Sequence, residues 1–483
     1  MLAAMRGGRC VIVEHPGQVG ASRRRWLQAG AVAAAAAVLP PLAGLGQARG
    51  ATGLPPVPAL QPRERRLSNG LRLLTLADAE PLGHTVAVQL WYRVGGKDDP
   101  PGRSGFAHLF EHLMFKATRH MPAEQIDRLT EDVGGSNNAF TMADMTVFHS
   151  QVPANHLEPL LWAEAERMAN LDVSQASLDS EREVVKEELR QRVLADPYGP
   201  LFHALPGLGY QHHPYRRPVI GELAELEAAT LDEVRAFHER HYRPDNALLV
   251  VAGRFDAVQL DRWVDHYFGS IPAGRSPLPA PAAGEPRRER DSLHRLAAPR
   301  GAQPAAALLW QGPPAAHADG AALRIAAALL GQGETARLAD RLSYRQRLAQ
   351  STGFELMLNA EAGLIVAHAI GADGARTSPE ALAGALHREV QRLAQEPLPP
   401  RELAKARAQI LVQALAARET AEGRALALGE SLLLRGDALA ADTELAAMQT
   451  LGAAEVQRAV QRWLLQAPRV SVLYEPRRPG VST

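Results

Sequence analysis

"GFAHLFEHLMFKAT", Gly105 to Thr118, decides how the rest of the chain is read. It sets His108, Glu111 and His112 into an otherwise apolar run. On a helix, residues four apart share a face, so the two imidazoles can grip one metal ion. Glu111 follows His108 by three residues and precedes His112 by one, on the rim of that face. A carboxylate there can take a proton from a water and pass it to a leaving amine. Zinc suits such a site, because imidazole and carboxylate bind it and it carries no redox chemistry. Leu109, Phe110, Leu113 and Met114 read as core packing. The competing reading is a pair of core or capping histidines beside a salt-bridged glutamate.

The order H-x-x-E-H is the inverted zincin motif. A catalytic zinc needs a third protein ligand and one open position. "LDSEREVVKEELRQR", Leu178 to Arg192, is the glutamate-dense helical segment that can supply it. Glu181 and Glu188 are seven apart, close to two turns, and share a face. Glu183 and Glu187 lie on another face with Arg182, Lys186 and Arg190, where a solvated charged surface is the ordinary meaning. Spacing alone does not choose between Glu187 and Glu188.

Working outward, the chain has 483 residues, enough for more than one core. Its 53 basic and 53 acidic residues balance, which gives no electrostatic case for nucleic acid or an anionic membrane. Residues 1–48 have the layout of an export leader. "SRRRWLQAG" precedes the short Ala-rich stretch "AVAAAAAVLPPLAGLGQARGA". Arg23-Arg24 with Trp26 and Leu27 resembles a twin-arginine signal, with cleavage expected near Ala48. Pro40 and Pro41 make the stretch poor for a membrane span, so no span is expected in the mature chain. Cleavage would also remove Cys10, the sole cysteine, leaving a thiol-free chain suited to an oxidising periplasm.

The remainder reads as α+β, in two related halves of sheet and helices. "RLSNGLRLLTLAD" predicts two strands around an Asn69-Gly70 turn, and "HTVAVQLWYRVG" a third. Helical patterns are expected from about Gly105 to Leu171. "DNALLVVAG", Asp245 to Gly253, closes the unit as a buried strand. The first domain is therefore 60–271, and 272–292, rich in Pro, Ala and charge, is a linker. In the second domain, 293–476, "AALLWQG" predicts a strand and "ALRIAAALLGQG" a helix. The echo is clearest between "TLDEVRAFHERHYRPDNALLVVAG" and "GAAEVQRAVQRWLLQAPRVSVLYEP", each a capped helix, a polar break and a strand.

On these stretches the chain resembles the pitrilysin and insulinase family of zinc metallopeptidases, in the bacterial branch similar to mitochondrial processing peptidase. "GGSNNAFTMADMTVF", "WAEAERM", "HPYRRPVIG" and the glutamate-rich helix carry the likeness with the opening motif. The resemblance implies one Zn2+ per chain on His108, His112 and Glu188, with Glu111 as general base and Glu181 as a supporting catalytic carboxylate. It implies two similar halves closing around a peptide in a clam-like chamber. It implies that the "SNNAF" strand takes an extended substrate on its edge, an arrangement in which main-chain hydrogen bonds bind almost any peptide. Asn138 and Ala139 would lie nearest the scissile bond, with Phe115 and Phe140 beside it. His213 reads as a loop hydrogen-bonder.

The second half departs from the motif. Lys405 and Val412 fall where Glu181 and Glu188 would repeat, so a single zinc site is expected. Family members bind substrate through an arginine and a tyrosine in a stretch matching "LSYRQRLAQSTGF", where this chain has Tyr344 and Gln350. Arg345 or Arg347 can stand in, and Arg337 is retained as a substrate-binding candidate. The broken pair implies a zinc-bearing subunit that works with a companion family chain, with a homodimer as the alternative. A non-catalytic scaffold subunit is the reading from a different class.

Overall fold

The computed structural model describes residues 57–78, 83–278, 281–282, 284–373 and 377–476. The leader reading of 1–48, including Cys10 and the twin-arginine pair, lies outside the described residues. The first half has six strands: β1 (Arg63–Arg66), β2 (Arg72–Ala77), β3 (Thr85–Tyr92), β4 (Ser136–Thr141), β5 (Thr146–Pro153) and β6 (Ala247–Gly253). They form one sheet in the order β1-β2-β6-β3-β5-β4, so β4 is an outer edge. The second half supplies β7 (Ser292–Ala298), β8 (Ala305–Gly312), β9 (Ala349–Leu358), β10 (Gly363–Gly371) and β11 (Arg469–Pro476), in the order β7-β11-β8-β10-β9.

The two sheets repeat one plan. In each, a parallel pair (β2 with β6, β7 with β11) leads into three antiparallel pairings that end on an edge strand, β4 or β9. The expected echo is thus a structural repeat, and β1 is the first half's addition. Gly70 takes φ +92 in the predicted turn, a conformation glycine adopts without strain. Asn69 Nδ2 donates to the Phe268 and Ile271 carbonyls at 2.8 and 2.9 Å and ties the turn to the core.

The first half's helices are α1 (Phe106–Leu113), α2 (Gln125–Glu131), α3 (Leu157–Asn170), α4 (Gln175–Leu189), α5 (Gly199–Gly209), α6 (Leu223–Glu227), α7 (Leu231–His241) and α8 (Ala257–Phe268). The second half's are α9 (Gly320–Gly331), α10 (Pro379–Gln395), α11 (Pro400–Arg418), α12 (Ala421–Arg435), α13 (Ala440–Thr450) and α14 (Ala453–Val460). The helical expectation for 105–171 is corrected: β4 and β5 interrupt it between α2 and α3. Most of β5 is buried, so its sequence lacks the clean alternation that marks a half-exposed strand.

Each sheet is covered on one face by its own helices and on the other by a helix of the opposite half. Leu428, Ala425 and Leu432 of α12 close over Trp91, Val147 and Val250 of the first sheet. Leu201 and Leu205 of α5 close over Leu309, Val472 and Tyr474 of the second. These shared cores join the two halves. The linker is also anchored: the Glu285 carboxylate accepts the backbone N–H groups of Gln211, His212 and His213.

Candidate metal centre

The α1 helix starts at a tight junction. Asp99 accepts the amides of Gly105 and Ala107 at 2.7 and 2.8 Å, satisfying donors that a helix start leaves open. Gly105 (φ +91) lies against Gly221 (φ +85), with only 3.0 Å to Gly221 Cα for any Cβ. That contact gives "HPYRRPVIG" its structural purpose. His213, as expected, is a loop hydrogen-bonder: Nδ1 accepts the Tyr215 amide and Nε2 donates to Glu361 Oε2 at 3.1 Å.

The α1 helix then places His108 and His112 beside α4. His108 Nε2 lies 3.7 Å from Glu188 Oε2, and His112 Nε2 lies 3.4 Å from the same oxygen. Among the described residues, these three form the only group of His, Cys, Asp or Glu side chains with converging ligand atoms, all within 4.8 Å. Ligands about 2.0–2.1 Å from a tetrahedral zinc stand about 3.3 Å apart, so the separations are of the right size. Both ring nitrogens of His108 are buried with no hydrogen-bond partner, a costly state unless something coordinates them. Burial pushes the His108 imidazole below its ordinary pKa, which keeps it in the neutral form a metal needs. Two imidazoles and a carboxylate converging at this spacing fit zinc.

Around them sits an outer set. Glu181 Oε2 is 3.5 Å from His112 Nδ1, and Lys116 Nζ is 2.6 Å from Glu181 Oε1. Burial alone would raise Glu181, but bonds from His112 and Lys116 hold it below the usual range. Glu188 follows the same logic, with His112 and Arg192 outweighing burial, and Arg192 sits 3.0 Å from its Oε1. Glu187 faces away, exposed beside Arg190 and Gln191. The ambiguity that spacing left is resolved in space, since α4 turns Glu181 and Glu188, not Glu187, toward α1. Carboxylates behind a ligating imidazole fix its orientation. Glu181→Gln should therefore weaken zinc binding roughly 10- to 100-fold, read by competition with a chromophoric chelator. Unchanged affinity would leave Glu181 a packing residue.

Glu111 is fully buried, and Thr141 Oγ1 donates to its Oε2 at 2.6 Å. Sequence reasoning missed Thr141 and Lys116. Neither stands in a periodic pattern, and only the strand register of "SNNAFT" could have put Thr141 on Glu111's side. In that register Ala139 and Thr141 face α1, while Asn138 and Phe140 take the other face of β4. Phe140 meets Trp91 edge-on at 6.2 Å and is 5% exposed, so its ring packs in the core shared with α12. Of the substrate-binding candidates, Phe140 thus lies on the face of β4 away from α1. Asn138 Oδ1 accepts the Ala139 amide. Phe115 packs on Phe148 at 5.9 Å and stays half-buried.

In the second half, Lys405 bonds Thr335 and Val412 is exposed. Arg337 forms a two-bond pair with Glu402 at 2.6 and 2.8 Å, which must open before it can hold a peptide. Arg345 pairs with Asp340, and Tyr344 is exposed.

Residues 74–222 match the insulinase family (peptidase family M16), and residues 228–410 match the peptidase M16 inactive domain. The zinc protease PqqE of Helicobacter pylori is 30% identical over 292 residues, 59% of this chain and 64% of that protein. An uncharacterized zinc protease of Mycobacterium tuberculosis is 31% identical over 315 residues, 65% of this chain and 71% of its own length. A crystal structure of a protease from Helicobacter pylori has a TM-score of 0.82 at 25% identity, covering 86% of this chain and all of that one. The periplasmic protease PqqL from Escherichia coli shares the fold at 18% identity and a TM-score of 0.69, over 87% of this chain but only 48% of PqqL. The chain belongs to the M16 peptidase family.

Proposed function

We propose that the chain is a zinc-dependent endopeptidase that hydrolyses peptides or unfolded protein segments, and that it is the zinc-bearing member of a two-chain enzyme. The observation that carries this is the convergence of His108, His112 and Glu188 next to the buried Glu111, beneath a strand with an open edge. His108, His112 and Glu188 hold the metal, one ion per chain. When bound, zinc lowers the pKa of a water and polarises a carbonyl. Glu111 takes the proton from the attacking water and delivers it to the leaving amine. The β4 edge fixes the peptide as an added strand, with Ala139 next to the scissile bond and Phe115 at its side. Glu181 orients His112. The 60–271 unit does the chemistry, 272–292 links, and 293–476 is the catalytically silent partner.

Two points favour a companion chain. PqqL, which shares the fold, carries a second portion about as long as this chain. The second half also departs from the family's arginine and tyrosine, with Tyr344 and Gln350 at the matching positions. The leader layout, together with the likeness to the periplasmic protease PqqL, favours export to the periplasm. No helix among the described residues is long and apolar enough to cross a membrane. The scaffold alternative has one support, the match of the second half to an inactive domain.

The test is zinc content and cleavage of a quenched-peptide library by the purified mature chain, with Glu111→Gln as control. One zinc and Glu111-dependent cleavage would establish a self-sufficient peptidase. Zinc without cleavage, with activity restored by a companion family chain, would establish the two-chain enzyme. Absence of both zinc and activity, alone or in company, would leave the scaffold reading.

A further inference from the structure

We propose that Thr141 is the positioning residue for the general base: its hydroxyl holds one oxygen of Glu111 and so orients the other for proton transfer. The inference rests on the endopeptidase reading and adds a residue to it.

Thr141 ends β4, is 2% exposed, and points at a carboxylate that is itself fully buried. The contact, 2.6 Å from Oγ1 to Glu111 Oε2, is at the short end for an O–H···O hydrogen bond. Thr141 Oγ1 is the donor and the carboxylate oxygen the acceptor, so the single hydroxyl proton of Thr141 lies on this bond. Its other neighbour cannot compete. Thr146 Oγ1 lies 3.5 Å away and gives its own proton to the Val94 carbonyl at 2.9 Å. The direction of the chain is therefore set, with Thr146 bonded to the backbone and Thr141 to Glu111.

The hydroxyl is itself held in place. Thr141 pairs with Thr146 across the β4–β5 hairpin. The hairpin tip is pinned by Gly96 donating to the Met142 carbonyl and Lys97 donating to the Ala143 carbonyl. Asp144 then accepts the Tyr215 hydroxyl at 2.5 Å and the Ala360 amide, from the second half, at 2.9 Å. The same strand offers its open edge to substrate, so the register of a bound peptide and the orientation of Glu111 share one rigid element. A catalytic group displaced by about 1 Å can lose roughly 100-fold in rate, which is the scale on which such a hydroxyl matters.

The experiment compares Thr141→Val and Thr141→Ser in the full zinc-loaded chain, with the companion chain if cleavage requires it. Thr141→Val should lower kcat roughly 10- to 100-fold with KM within about twofold. Thr141→Ser, which keeps the hydroxyl, should restore most of it, and both should keep one zinc. A second readout needs no activity: urea midpoints of the metal-free chain. Thr141→Val should lower the midpoint in the native background and leave it unchanged in a Glu111→Ala background, because the bond is then already gone. Equal loss in both backgrounds, or an undiminished kcat in Thr141→Val, would overturn the proposal while native cleavage keeps the peptidase reading intact. A native chain that never cleaves, with the midpoint coupling preserved, would sink the peptidase reading and leave Thr141 as the holder of Glu111.

Discussion

Glu188→Gln should lose zinc, while Glu187→Gln, one residue away, should keep it. The two substitutions are chemically identical and sit on the same turn of α4, so helix propensity and net charge change equally. They differ only in where the carboxylate points. Glu188 lies within 3.7 Å of both imidazoles, and Glu187 is exposed beside Arg190 and Gln191. Replacing a ligand carboxylate by a neutral amide removes the one anionic donor from the set. The expected loss exceeds the roughly 10- to 100-fold typical of changes behind the ligands. Glu187→Gln should stay within about twofold of the native affinity, because an exposed ion pair contributes little. Because a bound metal stabilises the folded chain by mass action, the midpoint of thermal unfolding should rise with added zinc in Glu187→Gln and not in Glu188→Gln. If both variants bound zinc equally well, the third ligand would have to be sought elsewhere, with Glu181 first in line.

Much of this site was legible because helix geometry is local. A four-residue spacing puts His108 and His112 on one face wherever the helix lies, and a seven-residue spacing does the same for Glu181 and Glu188. What spacing could not say is which face of α4 turns toward α1, and that took the packing of Leu178, Val185 and Leu189 into the core to decide. The repeat was legible at its ends, where capped helices lead into strands: Thr230 with Glu233 caps α7, and Gly452 with Glu455 opens α14. Thr141 was not legible, because a threonine in a strand is ordinary until its register is known. Nor was the exchange of α5 and α12. An apolar helix face announces that it will be buried, but not against which sheet, and α12 finds a partner more than 300 positions earlier in the chain. The two-halved plan was legible from the echo between the halves, but symmetry in sequence does not say which helix each half lends to the other's sheet.

Gly429→Ala should destabilise the protein, against the usual preference of helices for alanine. At an open helical position the change gains about 0.5–1 kcal/mol. At Gly429 the new Cβ would fall 2.3 to 2.7 Å from Cε2, Cζ2 and Nε1 of Trp91, inside any real contact distance. The ring has no easy retreat. Trp91 is fully buried, its Nε1 donates to Gln89 Oε1 at 3.1 Å, and Phe140 closes its edge. Gln89 in turn donates to the Glu422 carbonyl of α12 at 3.0 Å, so moving the ring also strains the helix that carries the glycine. Overpacking of this kind costs about 1–3 kcal/mol, enough to outweigh the helix gain. Gly384 in α10 is the control, since the closest atom to its Cβ is the end of the flexible Arg388 side chain at 3.3 Å. Gly384→Ala should raise the urea midpoint and Gly429→Ala should lower it. Trp91 belongs to the half with the candidate metal centre and Gly429 to the second half. Unfolding of the first half, followed by loss of the zinc-induced stabilisation, should therefore shift together with the far-ultraviolet transition of the whole chain. Separate transitions in Gly429→Ala, with the first half's midpoint unmoved, would mean that each half stands alone and that the α12 contact is not what joins them.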